Sequence, residues 1–128
     1  MLAVDRDAAA LQSLGGLTGI EPRLVDLEGE VWPLAGLHFV GIVVTNYLWR
    51  PRLADLLALL APGGVLIYET FMLGNEAYGK PSNPDFLLRP GELRALVAAA
   101  GLREIASVEG YVASPKPAVR QAICAMRE

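Results

Sequence analysis

The sequence predicts an α/β fold: a doubly wound, mostly parallel sheet that ends in an antiparallel hairpin. Three observations carry that expectation. Gly41-Ile42-Val43-Val44 and Val65-Leu66-Ile67-Tyr68 are β-branched and aromatic runs of strand length with no polar alternation, which suits parallel strands covered on both faces. Between them, Arg52–Ala61 carries Leu53, Leu56, Leu57 and Leu60 at helical spacing; Pro51 pre-sets its first turn and Pro62-Gly63-Gly64 stops it. Finally, Arg103–Val112 and Ala118–Met126 alternate in polarity across Ala113-Ser114-Pro115-Lys116-Pro117, the pattern of an antiparallel pair.

The remaining elements follow in order. Leu2-Ala3-Val4 is a short apolar strand ending at Asp5, and Asp7 is placed to cap a helix over Ala8–Leu14 that Gly15-Gly16 ends. Arg23-Leu24-Val25 reads as a second strand running into Asp26-Leu27-Glu28, and Trp32-Pro33 with Ala35-Gly36 as a loop. The third strand is Phe39–Thr45, leading into Asn46 and Tyr47; the fourth ends in Glu69-Thr70-Phe71. Met72–Leu88, rich in Gly, Asn, Ser and Pro, reads as a long loop of the kind that forms lids or binding segments. Pro90-Gly91-Glu92 opens a last helix with Leu93, Leu96, Val97 and Ala100 as its apolar stripe, and Gly101 closes it. The economical arrangement of this order is one mostly parallel sheet with helices on both faces.

Bulk properties narrow the function classes. The length of 128 residues predicts one domain over 1–128, and 53% hydrophobic against 20% charged residues argues against disorder. A net charge of −3 without a clustered basic face argues against nucleic acid as a partner. Cys124 is the only cysteine and His38 the only histidine, so disulfides, a cysteine-based metal site and Ser-His-Asp catalysis are not expected; Cys124 reads as a small core residue and His38 as a surface or capping residue. No apolar run is long enough for a membrane span, and Asp5, Arg6 and Asp7 interrupt any leader-like segment, so a cytoplasmic protein is expected.

Ligands of open parallel sheets bind beyond the carboxyl ends of the strands, where Asn46, Tyr47 and Glu69 would sit. The residues at those ends also carry a likeness. Ala3-Val4-Asp5-Arg6-Asp7, then Val43–Pro51, then Leu60–Phe71, and last Gly74-Asn75-Glu76 with Lys80–Pro84 resemble, in this order, the class I S-adenosylmethionine-dependent methyltransferases of small bacterial, tellurite-resistance-like type. The resemblance runs from residue 2 nearly to the end and implies a Rossmann-like fold with S-adenosyl-L-methionine as cofactor. It implies that the strand ending in Asp5 is the second of the family's fold, with that acid on the cofactor's ribose hydroxyls. Asp26, or alternatively Glu28, would reach the adenine amino group. Asn46 and Tyr47 would face the methionine end of the cofactor, and Glu69 and Tyr78 the acceptor. Turn chemistry for Asn46 and the acids, and packing for Tyr47 and Trp49, are the plain structural alternatives.

The family's first strand and its glycine-rich turn, an acid followed by G-x-G-x-G, do not occur here, so the chain reads as the C-terminal two-thirds to three-quarters of the usual fold. On that reading the Leu2–Asp5 strand either pairs directly with Phe39–Thr45 or borrows a strand from a second chain, which makes a homodimer an expected outcome. Two functions follow. One is methyl transfer to a small-molecule acceptor, a displacement for which alignment matters more than a fixed base. The other is a non-catalytic methyltransferase-like domain that serves dimerisation or partner binding. A nicotinamide-dinucleotide enzyme lacks its phosphate-binding turn, and an α/β-hydrolase lacks G-x-S-x-G.

Overall fold

The computed structural model describes residues 1–128, whose contacts divide into two compact units, Met1–Ala35 and Gly36–Glu128. The first is a short β-α-β unit: β1 (Leu2–Asp5), α1 (Ala8–Gln12) and β2 (Glu21–Leu24). The two strands run parallel, with Leu2 opposite Glu21 and Asp5 opposite Leu24. Asp7 caps α1 as its position predicts, its side chain accepting from the backbone N–H of Ala9 at 2.9 Å and Ala10 at 3.3 Å. Two boundaries differ from the sequence reading. The helix ends at Gln12 rather than Leu14, and the second strand begins at Glu21 rather than Arg23.

The second unit holds β3 (Phe39–Thr45), α2 (Leu53–Ala58), β4 (Leu60–Phe71), α3 (Glu92–Ala99), β5 (Arg103–Val112) and β6 (Ala118–Met126). Its four-stranded sheet has the order β3-β4-β6-β5. β3 and β4 are parallel, and β6 runs antiparallel to both of its neighbours. The C-terminal hairpin is thus where the alternation puts it, but its second strand inserts beside β4 and its first lies at the edge. Inner positions pair both edges of β4 and of β6 and leave β3 and β5 at the rims of the sheet.

Three expectations are corrected. β1 pairs with β2 in a sheet of its own and not with Phe39–Thr45; two four-residue strands joined by one short helix satisfy each other locally, since consecutive elements usually become neighbours. α2 stops at Ala58, because Leu60 already pairs with Phe39 and the strand begins before the Pro62-Gly63-Gly64 turn. The apolar runs of β3 and β4 are covered on one face only.

That face is set by strand alternation. Leu66, Tyr68, Thr70, Gln121, Ile123 and Ala125 point to one side and are buried. Both helices lie there: the backbone N–H of Leu93 in α3 donates to Gln121 Oε1 at 3.2 Å, and a groove over Leu60 is lined by Ala54 and Ala58 of α2 with Leu96 and Ala99 of α3. His38 and Arg127 also line it, and His38 is exposed as expected. The alternate residues face away, and Val43, Ile67 and Val108 are 70%, 47% and 71% exposed. Cys124 belongs to this second face and is half-buried, not a core residue, because the buried positions of β6 are its neighbours Ile123 and Ala125. No helix is long and apolar enough to cross a membrane.

The Met72–Leu88 segment is pinned at both ends and in the middle. It contains two 3-10 turns, Asn75–Ala77 and Pro84–Phe86, and Met72 bridges to Leu88 in parallel fashion. Asn75 is 2% exposed; its Nδ2 donates to the Pro81 carbonyl at 3.0 Å and its Oδ1 accepts from the Val119 N–H at 3.1 Å. The buried amide of Asn75 thereby ties this loop to the start of β6.

Candidate functional site at the strand tips

In the Met1–Ala35 unit the parallel strands deliver two carboxylates to one end. Asp5 is the last residue of β1; its carbonyl accepts from Val25 N–H at 3.0 Å, so the chain leaves β2 beside it and reaches Asp26 one residue later. Each acid spends one oxygen on a local turn. Asp5 Oδ1 accepts from Asp7 N–H at 3.0 Å, and Asp26 Oδ1 accepts from Glu28 N–H at 2.8 Å. The second oxygen of each accepts nothing from the chain, and both residues are exposed. Glu28, the alternative to Asp26, instead pairs with Arg6 at 2.8 Å. Two ionised acceptors at neighbouring strand tips suit a ligand that presents donors, such as a diol and an amino group.

In the Gly36–Glu128 unit, Asn46 and Glu69 come together through a residue that sequence reasoning does not single out. Thr45 lies opposite Glu69 in the parallel register, so the tip of β3 and the tip of β4 are adjacent, and Asn46 N–H donates to the Glu69 carbonyl at 3.0 Å. Arg120, on β6, joins their side chains: Nε donates to Glu69 Oε1 at 2.7 Å and Nη2 donates to Asn46 Oδ1 at 2.7 Å. The guanidinium lies 4.3 Å from the centroid of the Phe71 ring, its cross-strand neighbour. Only partner register could have revealed Arg120, since it stands 51 residues from Glu69 and 74 from Asn46.

Asn46 is also the one non-glycine residue with positive φ, at 54°. Asparagine tolerates that left-handed conformation better than most residues, yet it still costs backbone energy and marks the tip of β3 as a constrained position.

The other predicted residues find different settings. The Tyr47 carbonyl accepts from Tyr68 Oη at 2.6 Å, and Tyr47 is half-buried. Tyr68 is fully buried, and burial first, then Tyr47 and Glu92, hold its phenol well above the usual range, so it acts as a fixed donor. Tyr78 stacks obliquely with Tyr111, ring centroids 5.3 Å apart, and makes no bond to Glu69.

Arg50 is a second residue that sequence reasoning passes over. Its Nε and Nη2 grip both carboxylate oxygens of Glu92, at 2.7 and 2.8 Å, while Nη1 and Nη2 donate to the carbonyls of Asp85 and Leu87 at 3.0 and 2.9 Å. One side chain thereby ties the segment after β3 to the end of the long loop and to the start of α3.

Comparison with known proteins is informative at the level of structure. No family model and no curated protein matches the sequence. Among solved structures, TehB from Haemophilus influenzae superposes with a TM-score of 0.76 at 14% identity, covering 99% of this chain and 49% of that one. The N-methyltransferase NodS from Bradyrhizobium japonicum gives 0.68 at 18% identity over 99% of this chain and 73% of its own. A TehB-like SAM-dependent methyltransferase from Corynebacterium glutamicum gives 0.64 at 15% identity over 99% and 67%. The chain spans about half the length of the first of these proteins and about three-quarters of the second. Across nearly all of its residues, this chain carries the fold of the class I S-adenosylmethionine-dependent methyltransferases.

Proposed function

We propose that this chain takes part in methyl transfer from S-adenosylmethionine to a small-molecule acceptor. The observation that carries the reading is Asp5: an acid at the C-terminal tip of a parallel strand, one oxygen tied to Asp7 N–H and the other open, within a fold shared with methyltransferases over 99% of the chain. The residues present fit the cofactor's adenosine end by their chemistry. Asp5 is an acceptor for the ribose hydroxyls and Asp26 for the adenine amino group, each through the oxygen its own turn leaves open. Asn46, with Nδ2 unspent while Arg120 holds Oδ1, and Tyr47 are the residues assigned to the methionine end. Glu69 and Tyr78 are assigned to the acceptor side.

The cofactor supplies an already activated methyl carbon when bound. The chain's contribution is therefore alignment and exclusion of water more than proton chemistry. The acceptor is small, a reading supported by one structural relative, an O-methyltransferase family 2 protein from Planctomyces limnophilus, whose structure is a complex with apigenin. Isothermal titration with S-adenosylhomocysteine tests the reading. Binding that Asp5→Ala weakens about 10- to 100-fold, the loss expected for a hydrogen bond to a charged group, supports it. No heat at millimolar ligand overturns it.

A second reading, a non-catalytic module for dimerisation or partner binding, is favoured by one observation. The helix-free face of the sheet exposes Val43, Ile67 and Val108 together. Sedimentation of the pure chain as a homodimer, broken by Val108→Glu, supports that reading.

A further inference from the structure

We propose that Arg120 is a positioning residue that builds an acceptor site for a neutral hydroxyl or amino group carried on an apolar body. This rests on the methyl-transfer reading for its ligand, while the geometry stands without it. Arg120, Glu69 and Phe71 lie on the helix-free face of the sheet, at the end where β3 and β4 terminate. Below them on the same face, one cross-strand row runs Val43, Ile67, Cys124 and Ala106.

The guanidinium is turned inward and commits two of its five N–H donors. Its Nε and Nη2 bind Glu69 and Asn46, its flat face covers Phe71, and its side chain is only 16% exposed. Glu69 is the outward half of the pair, at 44% exposure, and its Oε2 accepts nothing from the chain. The pair cancels its own charge, so an anionic or cationic acceptor gains little there. What remains is a fixed carboxylate oxygen above an apolar strip, a setting for a donor O–H or N–H with hydrocarbon beneath it. The same grip explains how Asn46 keeps its positive φ: its side chain is held from β6 and its N–H from the Glu69 carbonyl.

Arg120→Met keeps the length of the stem and its packing on Phe71 but removes every donor; Arg120→Lys keeps the charge and can serve one of the two acceptors. Hydrogen exchange on the full chain reads the grip directly. Exchange over residues 45–47 rises at least tenfold in Arg120→Met, falls part of the way back in Arg120→Lys, and stays unchanged over 123–125 in both. Unchanged exchange over 45–47 in Arg120→Met overturns the positioning role. For the acceptor class, catechol and ethanolamine are titrated into the chain saturated with S-adenosylhomocysteine. Binding of catechol, which is neutral at pH 7, that Glu69→Gln and Arg120→Met both weaken about tenfold or more supports the assignment; no heat with catechol, catechol binding that neither substitution weakens, or tighter binding of ethanolamine, a cation at that pH, overturns it. A chain that does not bind S-adenosylhomocysteine at all sinks the methyl-transfer reading, and the exchange experiment still decides the role of Arg120.

Discussion

Arg50 and Glu92, 42 residues apart in sequence, form a two-pronged ion pair, Nε to Oε2 at 2.7 Å and Nη2 to Oε1 at 2.8 Å. Their side chains are 28% and 18% exposed, well inside the range where such pairs do more than decorate a surface. Glu92 also accepts from Arg89 N–H at 2.8 Å, which places its charge at the start of α3, where the helix dipole favours an anion.

Replacing Glu92 by Gln is expected to cost about 2–3 kcal/mol, because charged hydrogen bonds are lost and Arg50 keeps its burial without its counter-charge. Burial alone would raise the Glu92 pKa, but the hydrogen bond from Arg50, then Arg89, outweigh it and hold the carboxyl below its ordinary value. A depressed acid contributes stability that is complete above its unfolded value, about 4.3, and is lost as the pH falls through the lower folded value. Urea unfolding should therefore show a constant gap between wild type and Glu92→Gln from neutral pH down to about 5, shrinking below about 4.

Tyr68→Phe removes the 2.6 Å bond to the Tyr47 carbonyl from a fully buried position. The expected loss is about 1–2 kcal/mol, since the carbonyl of Tyr47 is left short of a donor. The raised phenol pKa keeps Tyr68 protonated, so this loss should be the same at neutral and mildly alkaline pH in chemical denaturation.

Asn75→Ala is expected to cost about 2–4 kcal/mol, because it strands both the Val119 N–H and the Pro81 carbonyl. The effect is local as well as global. Limited proteolysis should cut within residues 76–86 of the variant well before it cuts the wild type, while the β5–β6 hairpin stays resistant.

Gly64→Ala should destabilise by about 1–3 kcal/mol through overpacking. A Cβ there would lie 2.8 Å from both the Ala61 carbonyl oxygen and Leu60 Cδ1, and Leu60 is buried. Gly63 needs glycine for another reason, its φ of +79°. Thermal unfolding of Gly64→Ala, with a Tm lower by several degrees, checks the steric half of this turn.

Local chemistry alone was enough to read several elements. The Asp7 cap, the Pro51-led turn into α2, the Gly91–Gly101 limits of α3 and the β5–β6 pair are all written in the spacing of a few neighbouring residues, and all appear where that spacing puts them. So does the placement of Asp5, Asn46 and Glu69 at strand tips, because a strand's end is marked by the residues around it. The covered face was not legible. An apolar run such as Gly41–Val44 states that a strand is hydrophobic, not how many helices pack on it, and Val43 is left open.

What the sequence determined by itself, then, is which segments become strands and helices and which acids and amides stand at their ends, since those depend on contacts within a few residues. Only the tertiary structure decided that β1 joins β2 rather than Phe39–Thr45, that β6 lies between β4 and β5, and that Arg120 and Arg50 become the residues that bind those ends together. Pairing partners and long-range ion pairs are chosen by which surfaces meet once the chain has folded. No spacing along the chain encodes a bond between residues 46 and 120.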